Sequence, residues 1–112
     1  MKLSEVIDLL DGKVLSENFD GKKEVLSACG CDLMSDVLAF VKDQALLLTG
    51  LMNPQVVRTA EMMDMKAIVF VRGKTPGEEI LNLANESDIE IISTEKPLYI
   101  ACGILYSNGL YK

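Results

Sequence analysis

Residues 45–97 read ALLLTGLMNPQVVRTAEMMDMKAIVFVRGKTPGEEILNLANESDIEIISTEKP, and their rhythm decides the fold. Three apolar runs recur: Ala45-Leu46-Leu47-Leu48, Ala67-Ile68-Val69-Phe70-Val71 and Ile89-Glu90-Ile91-Ile92. Each leads through a few small or polar residues to a proline, and each proline opens a helical periodicity. The prolines, Pro54, Pro76 and Pro97, stand 22 and 21 residues apart. Proline suits the first helical turn, because the N–H it lacks has no partner there. The repeat therefore predicts three successive strand–loop–helix units, hence a mainly parallel sheet flanked by helices. In such a sheet, ligands gather where strand ends meet helix starts.

Outward from this block the elements are less regular. Residues 4–11 predict a helix, with Ser4 as its cap, Val6, Ile7, Leu9 and Leu10 on its apolar side and Gly12 ending it. Val14-Leu15 begins a strand, and 18–23 form a loop around Asp20-Gly21. Residues 24–31 predict a second strand, with Val25, Ser27, Cys29 and Cys31 on one face and Leu26 and Ala28 on the other. A helix enters over 32–36, with Val37, Leu38, Phe40 and Val41 as its buried side. Asn53 caps the helix opened by Pro54, and Thr75-Pro76-Gly77-Glu78 has the pattern of a capping box. The count is about five strands in an α/β arrangement.

The chain has 112 residues, which fits one domain over 1–112. Hydrophobic residues make up 49% and aromatics only 5%, with no tryptophan, so the core is aliphatic. The formal charge is −6, without a basic cluster, which argues against nucleic-acid binding. No stretch approaches the length of a membrane helix, and the acidic start does not resemble a signal peptide. Three cysteines, an odd number, then point to reduced thiols in the cytoplasm.

Catalysis finds little support. There is no histidine, so Ser–His and Cys–His nucleophile systems are excluded. Cys29-Gly30-Cys31 lacks the second pair that a four-ligand metal site needs, and Cys102 lies in an apolar helix. The expectation is no metal and no cofactor. Gly73-Lys74-Thr75 imitates the end of a phosphate-binding loop, yet Ile68 stands where the first glycine would be. The better constellation gathers strand ends. Thr49-Gly50, Arg72-Gly73-Lys74 and Ser93-Thr94 follow the apolar runs at equivalent points, and parallel strands would bring them to one rim, with Asp32, Ser35 and Asn53 nearby. Arg72 and Lys74 supply charge there for a small anionic ligand, and the hydroxyls and glycines allow close approach.

The residues from Gly30-Cys31-Asp32-Leu33 to Ala45-Leu46-Leu47-Leu48-Thr49-Gly50-Leu51, then Asn53-Pro54 and the later units, resemble a DRTGG domain. The likeness covers nearly the whole chain. Asp32, Thr49 and Gly50 match the blocks after which the family is named, whereas Leu33 replaces its arginine and Leu51 its final glycine. The resemblance implies a fold similar to the N-terminal domain of HPr kinase/phosphorylase. It also implies a non-catalytic role, like that of the DRTGG domains beside CBS domains in some family II pyrophosphatases. The final helix is apolar over most of its circumference and needs cover on more than one side. A homodimer is therefore expected, with a protein partner or a small anion at the rim as the other prospects.

Overall fold

The structure, a computed structural model, describes residues 1–111. Chain order is α1 (Leu3–Leu10), β1 (Lys13–Val14), β2 (Ser27–Gly30), α2 (Met34–Phe40) and β3 (Ala45–Thr49). Then come α3 (Pro54–Met62), β4 (Ala67–Phe70), α4 (Glu78–Glu86), β5 (Glu90–Ser93) and α5 (Leu98–Ser107). The strands form one sheet in the order β1-β5-β4-β3-β2. All pairs are parallel except β1 with β5, so the strands of the three expected strand–loop–helix units do lie side by side, pointing the same way.

Every residue of β3, β4 and β5 is buried, as continuous apolar runs must be when both faces of a parallel sheet are covered. Alternation divides them between two cores. Leu47, Ile68, Phe70 and Ile91 face α2, α3 and α4, where Val37, Val56, Ala60 and Ile80 meet them. Leu46, Leu48, Val69 and Ile92 face α1 and α5, against Val6, Leu10, Ala101 and Leu105.

Outside the repeat several expectations are corrected. The second strand is shorter than 24–31, and its alternation fails at its start. Val25 packs with α1 and α5, whereas Cys29 and Cys31 pack on the other face. Met34 and Val37 are the buried residues of α2. Phe40 is 75% exposed and Leu38 is open, because helical spacing turns Met34, Val37 and Val41 to the sheet and leaves these two on other sides of the helix. Ser4 lies inside α1, whose first N–H groups, those of Leu3 and Ser4, donate to the Lys23 and Gly21 carbonyls at 2.9 and 3.1 Å, while the Glu5 carboxylate accepts from N of the cap residue Lys2 at 3.3 Å. Asp11, not Gly12, takes the left-handed conformation that ends α1. Only Pro54 occupies a first helical turn, with Asn53 Oδ1 accepting from Gln55 N at 2.8 Å. Pro76 precedes the Gly77 cap of α4, so no capping box forms, and Pro97 is itself the cap residue of α5.

Candidate functional site

At the carboxyl ends of the parallel strands the expected rim exists, and side chains lace it together. Past β2 the chain turns toward α2, and this turn places Asp32 over the end of β3. Asp32 Oδ1 accepts two hydrogen bonds, from Thr49 Oγ1 at 2.8 Å and from Gly50 N at 2.8 Å. The Thr49 hydroxyl, fully buried, also accepts from Leu51 N at 3.1 Å. Lys74 Nζ crosses from the loop after β4 and donates to the Gly50 carbonyl at 2.6 Å. Ser93 Oγ then donates to the Lys74 carbonyl at 3.0 Å. One line of contacts thus runs from β2 to β5.

The loop after β4 is held from below. Arg72 and Gly73 both have positive φ, and their N–H groups donate to the carbonyls of Lys96 and Thr94 at 3.0 and 2.8 Å. Gly73 has a second constraint: a Cβ there would collide with the Glu95 carboxylate. The Thr94 hydroxyl points away from the rim, donating to the Leu10 carbonyl at 2.7 Å and tying β5 to α1. Asn53 serves its own helix, and Ser35 is exposed on α2 with no hydrogen bond among the described residues. The strand-end residues and Asp32 are therefore brought together, while Ser35, Asn53 and the Thr94 side chain stand outside the line.

Electrostatics follow from these contacts. The Gly50 N–H holds the Asp32 carboxyl below its ordinary value. Partial burial opposes that, and the Thr49 hydroxyl, Lys74 and Arg72 add to it. Asp32 is thus a carboxylate at neutral pH, with one oxygen engaged and two cations nearby. The Lys74 ammonium is already held by a carbonyl. The Arg72 guanidinium is exposed and makes no ion pair among the described residues. Such an arrangement leaves the Arg72 guanidinium open to solvent, while the Thr49 hydroxyl beside the Asp32 carboxylate is fully buried and out of reach of a substrate.

Two features, one polar and one apolar, escaped the sequence reading. Glu90, inside an apolar run, is only 3% exposed; its carboxylate accepts from Lys23 Nζ at 2.9 Å and Ser16 Oγ at 2.8 Å. Those bonds strap the loop after β1 to the start of β5. The signal available was a charge within a stretch that must be buried. The second is a groove of about 200 Å³ between β2 and α5, lined by Ala28, Gly30, Cys102 and Tyr106 among others. No sequence pattern announced it. Among the described residues no group of three or more His, Cys, Asp or Glu side chains is placed to hold a metal ion. Among the described residues no helix is long and apolar enough to cross a membrane.

No protein-family model matches the chain, and no curated protein matches it in sequence. A solved structure does match its fold: the CBS and DRTGG domains of the regulatory region of Clostridium perfringens pyrophosphatase, complexed with the activator diadenosine tetraphosphate. The TM-score is 0.73 at 18% identity, over 93% of this chain and 45% of that one. The chain thus spans less than half the length of that structure. The mainly parallel, DRTGG-like α/β fold expected from the sequence is the one observed.

Proposed function

We propose that this chain is a non-catalytic regulatory or interaction domain that works as a homodimer through the outer face of α5. The carrying observation is that face itself. Tyr99 is 86% exposed and Ile100 46%, and nothing lies within 4 Å of where a Gly103 side chain would begin. Residues 97–111 carry no charged side chain in a chain of net charge −6. Two copies of an acidic protein repel each other through their net charge, and a charge-free apolar surface is where burial offsets that repulsion without pairing like charges, which makes a second copy the fitting occupant. Tyr99 of one helix can seat beside Gly103 of the other in an antiparallel pair. The similarity to a regulatory region supports a regulatory role.

Sedimentation equilibrium tests this reading. A dimer is expected at micromolar concentration, with an interface of about 1,000 Å² or more, and Tyr99→Glu should convert it to monomer. A strict monomer in the unmodified protein would overturn it.

The exposed Arg72 supports a second reading, a sensor for a nucleotide or other anion at the rim. The pyrophosphatase regulatory region with this fold binds diadenosine tetraphosphate, which makes that compound and ATP the first ligands to try. A ligand at 100 times its Kd should stabilise the fold by about 2.7 kcal/mol. Thermal unfolding with each compound reads this directly. No shift, or a shift unaltered in Arg72→Ala, discards it.

A further inference from the structure

β2 is an edge of the sheet. Cys31 N donates to the Leu48 carbonyl at 3.0 Å, one residue beyond the Gly30–Leu48 register pair. A parallel ladder alternates, so Cys29 and Cys31 turn their backbone groups toward β3, while Ala28 and Gly30 turn theirs outward. Among the described residues nothing pairs with that outer edge.

Edge strands are normally guarded by a charge, a proline or a covering element. The other edge, β1, is two residues long and carries Lys13. Residues 25–31, Val-Leu-Ser-Ala-Cys-Gly-Cys, contain neither charge nor proline. Beside them lies the groove of about 200 Å³, walled by Ala28, Gly30, Cys102, Leu105, Tyr106 and Tyr111. The two features meet at the same residues. The Cys102 thiol rests against Gly30, where any side chain would strike it, so bare backbone forms the groove floor at the open edge.

We infer that the β2 edge and this groove form one docking site for an extended, uncharged segment of another protein, added as a further strand with one large apolar side chain in the groove. An unpaired row of N–H and C=O groups is satisfied by an extended backbone, and alternate side chains of an added strand reach pockets beside the edge. The volume excludes a drug-sized or nucleotide-sized ligand, which needs about 300 Å³ or more, yet suits one aliphatic or aromatic side chain. A second copy pairing through its own β2 would bring only Ala28 and Gly30 to this face and leave the groove open. The walls carry no charged side chain, so a charged residue entering the groove would lose its hydration without gaining a partner. The inference rests on the reading of the chain as an interaction domain, and it uses the flank of α5 that carries Cys102 and Leu105, which adjoins the dimer face of Tyr99, Ile100 and Gly103.

The test is amide hydrogen exchange by NMR, with a pool of capped heptapeptides alternating Ser or Thr with Leu, Ile or Phe. A pool with a central proline serves as control. In the free protein the Ala28 and Gly30 amides should exchange rapidly. The alternating pool should slow both by about tenfold or more, and the proline pool should not. Ala28→Pro removes an outward donor and should abolish the protection. Should that variant fail to fold, Ala28→Tyr fills the groove without touching the ladder and should weaken binding at least about tenfold. Protection confined to other residues, or none at millimolar peptide, overturns the inference. So does protection of both amides in the free protein, which would mean that a second copy occupies the edge. A Tyr99→Glu monomer should bind the peptides unchanged, so failure of the dimer and failure of this site are read separately.

Discussion

Asp32 shows how one side chain fixes the shape of the rim. Its carboxylate accepts from both the Thr49 hydroxyl and the Gly50 N–H, so the residues that carried the family resemblance meet through hydrogen bonds. Asp32→Ala should cost about 1–3 kcal/mol in chemical denaturation, since the buried Thr49 hydroxyl loses its acceptor. Asp32→Asn keeps an acceptor and should cost less. Acid separates the two effects. The folded carboxyl sits below its ordinary value of 3.8, so its contribution is complete above that pH and fades as the pH falls through the lowered folded value. Asp32→Asn should therefore remove part of the acid-side loss of stability seen in the unmodified protein, measured as denaturation midpoint against pH from neutrality downward. At this scale the sequence was informative where spacing and chemistry coincide, as at Asp32, Thr49 and Gly50. It was silent on the Lys74 contact with the Gly50 carbonyl, because the reach of a long side chain across a loop depends on the left-handed backbone at Arg72 and Gly73.

Elements explain why the repeat was legible and its punctuation was not. Strand–helix alternation follows from burial on both faces, which no local substitute can imitate. Helix ends depend on single backbone angles, and four of them here use one device. Asp11, Asp64, Asp88 and Gly109 take positive φ after α1, α3, α4 and α5. The next N–H reaches back to a carbonyl of the last turn, at 2.9, 2.8, 2.9 and 3.0 Å. Three of the four positions hold aspartate where glycine would be unstrained, and a negative charge at a helix carboxyl end opposes the dipole. Among the described residues the Asp64 carboxylate makes one ion pair, long and exposed, with Lys66 at 3.9 Å. Asp64→Gly should raise stability by about 1 kcal/mol in urea unfolding. The Lys23–Glu90 pair belongs to the same scale, because it holds a loop to a strand. Lys23 can swing to water if Glu90 is lost, whereas buried Glu90 cannot follow if Lys23 is lost. Lys23→Met should thus cost about 2–4 kcal/mol and Glu90→Gln clearly less. Burial alone would lower the Lys23 value, but its bonds to Glu90 and Asp88 outweigh that and raise it above 10.5. The pair's contribution is therefore complete below that pH and lost as alkali carries the solution through the raised value.

For the whole molecule, charge and apolar surface must be considered together. Two helices cover one face of the sheet and three the other, which leaves the flank of β2 beside α5 bare and gives α5 an uncovered outer side. The sequence announced the second fact through a helix apolar on nearly all sides. It concealed the first, because a gap between elements is a property of their placement and of no single segment. A net charge of −6 on each copy sets a general repulsion against any self-association. If the contact is the charge-free face of α5, salt screens that repulsion and breaks no ion pair. The dimer should then tighten by about threefold or more between 20 and 500 mM sodium chloride, measured as Kd by sedimentation equilibrium. A contact built on salt bridges would respond in the opposite direction. Weakening with salt would place the interface elsewhere on the surface, and a Tyr99→Glu variant with unchanged association would confirm that displacement. The salt response therefore locates the interface by its sign, independently of how tight the dimer is.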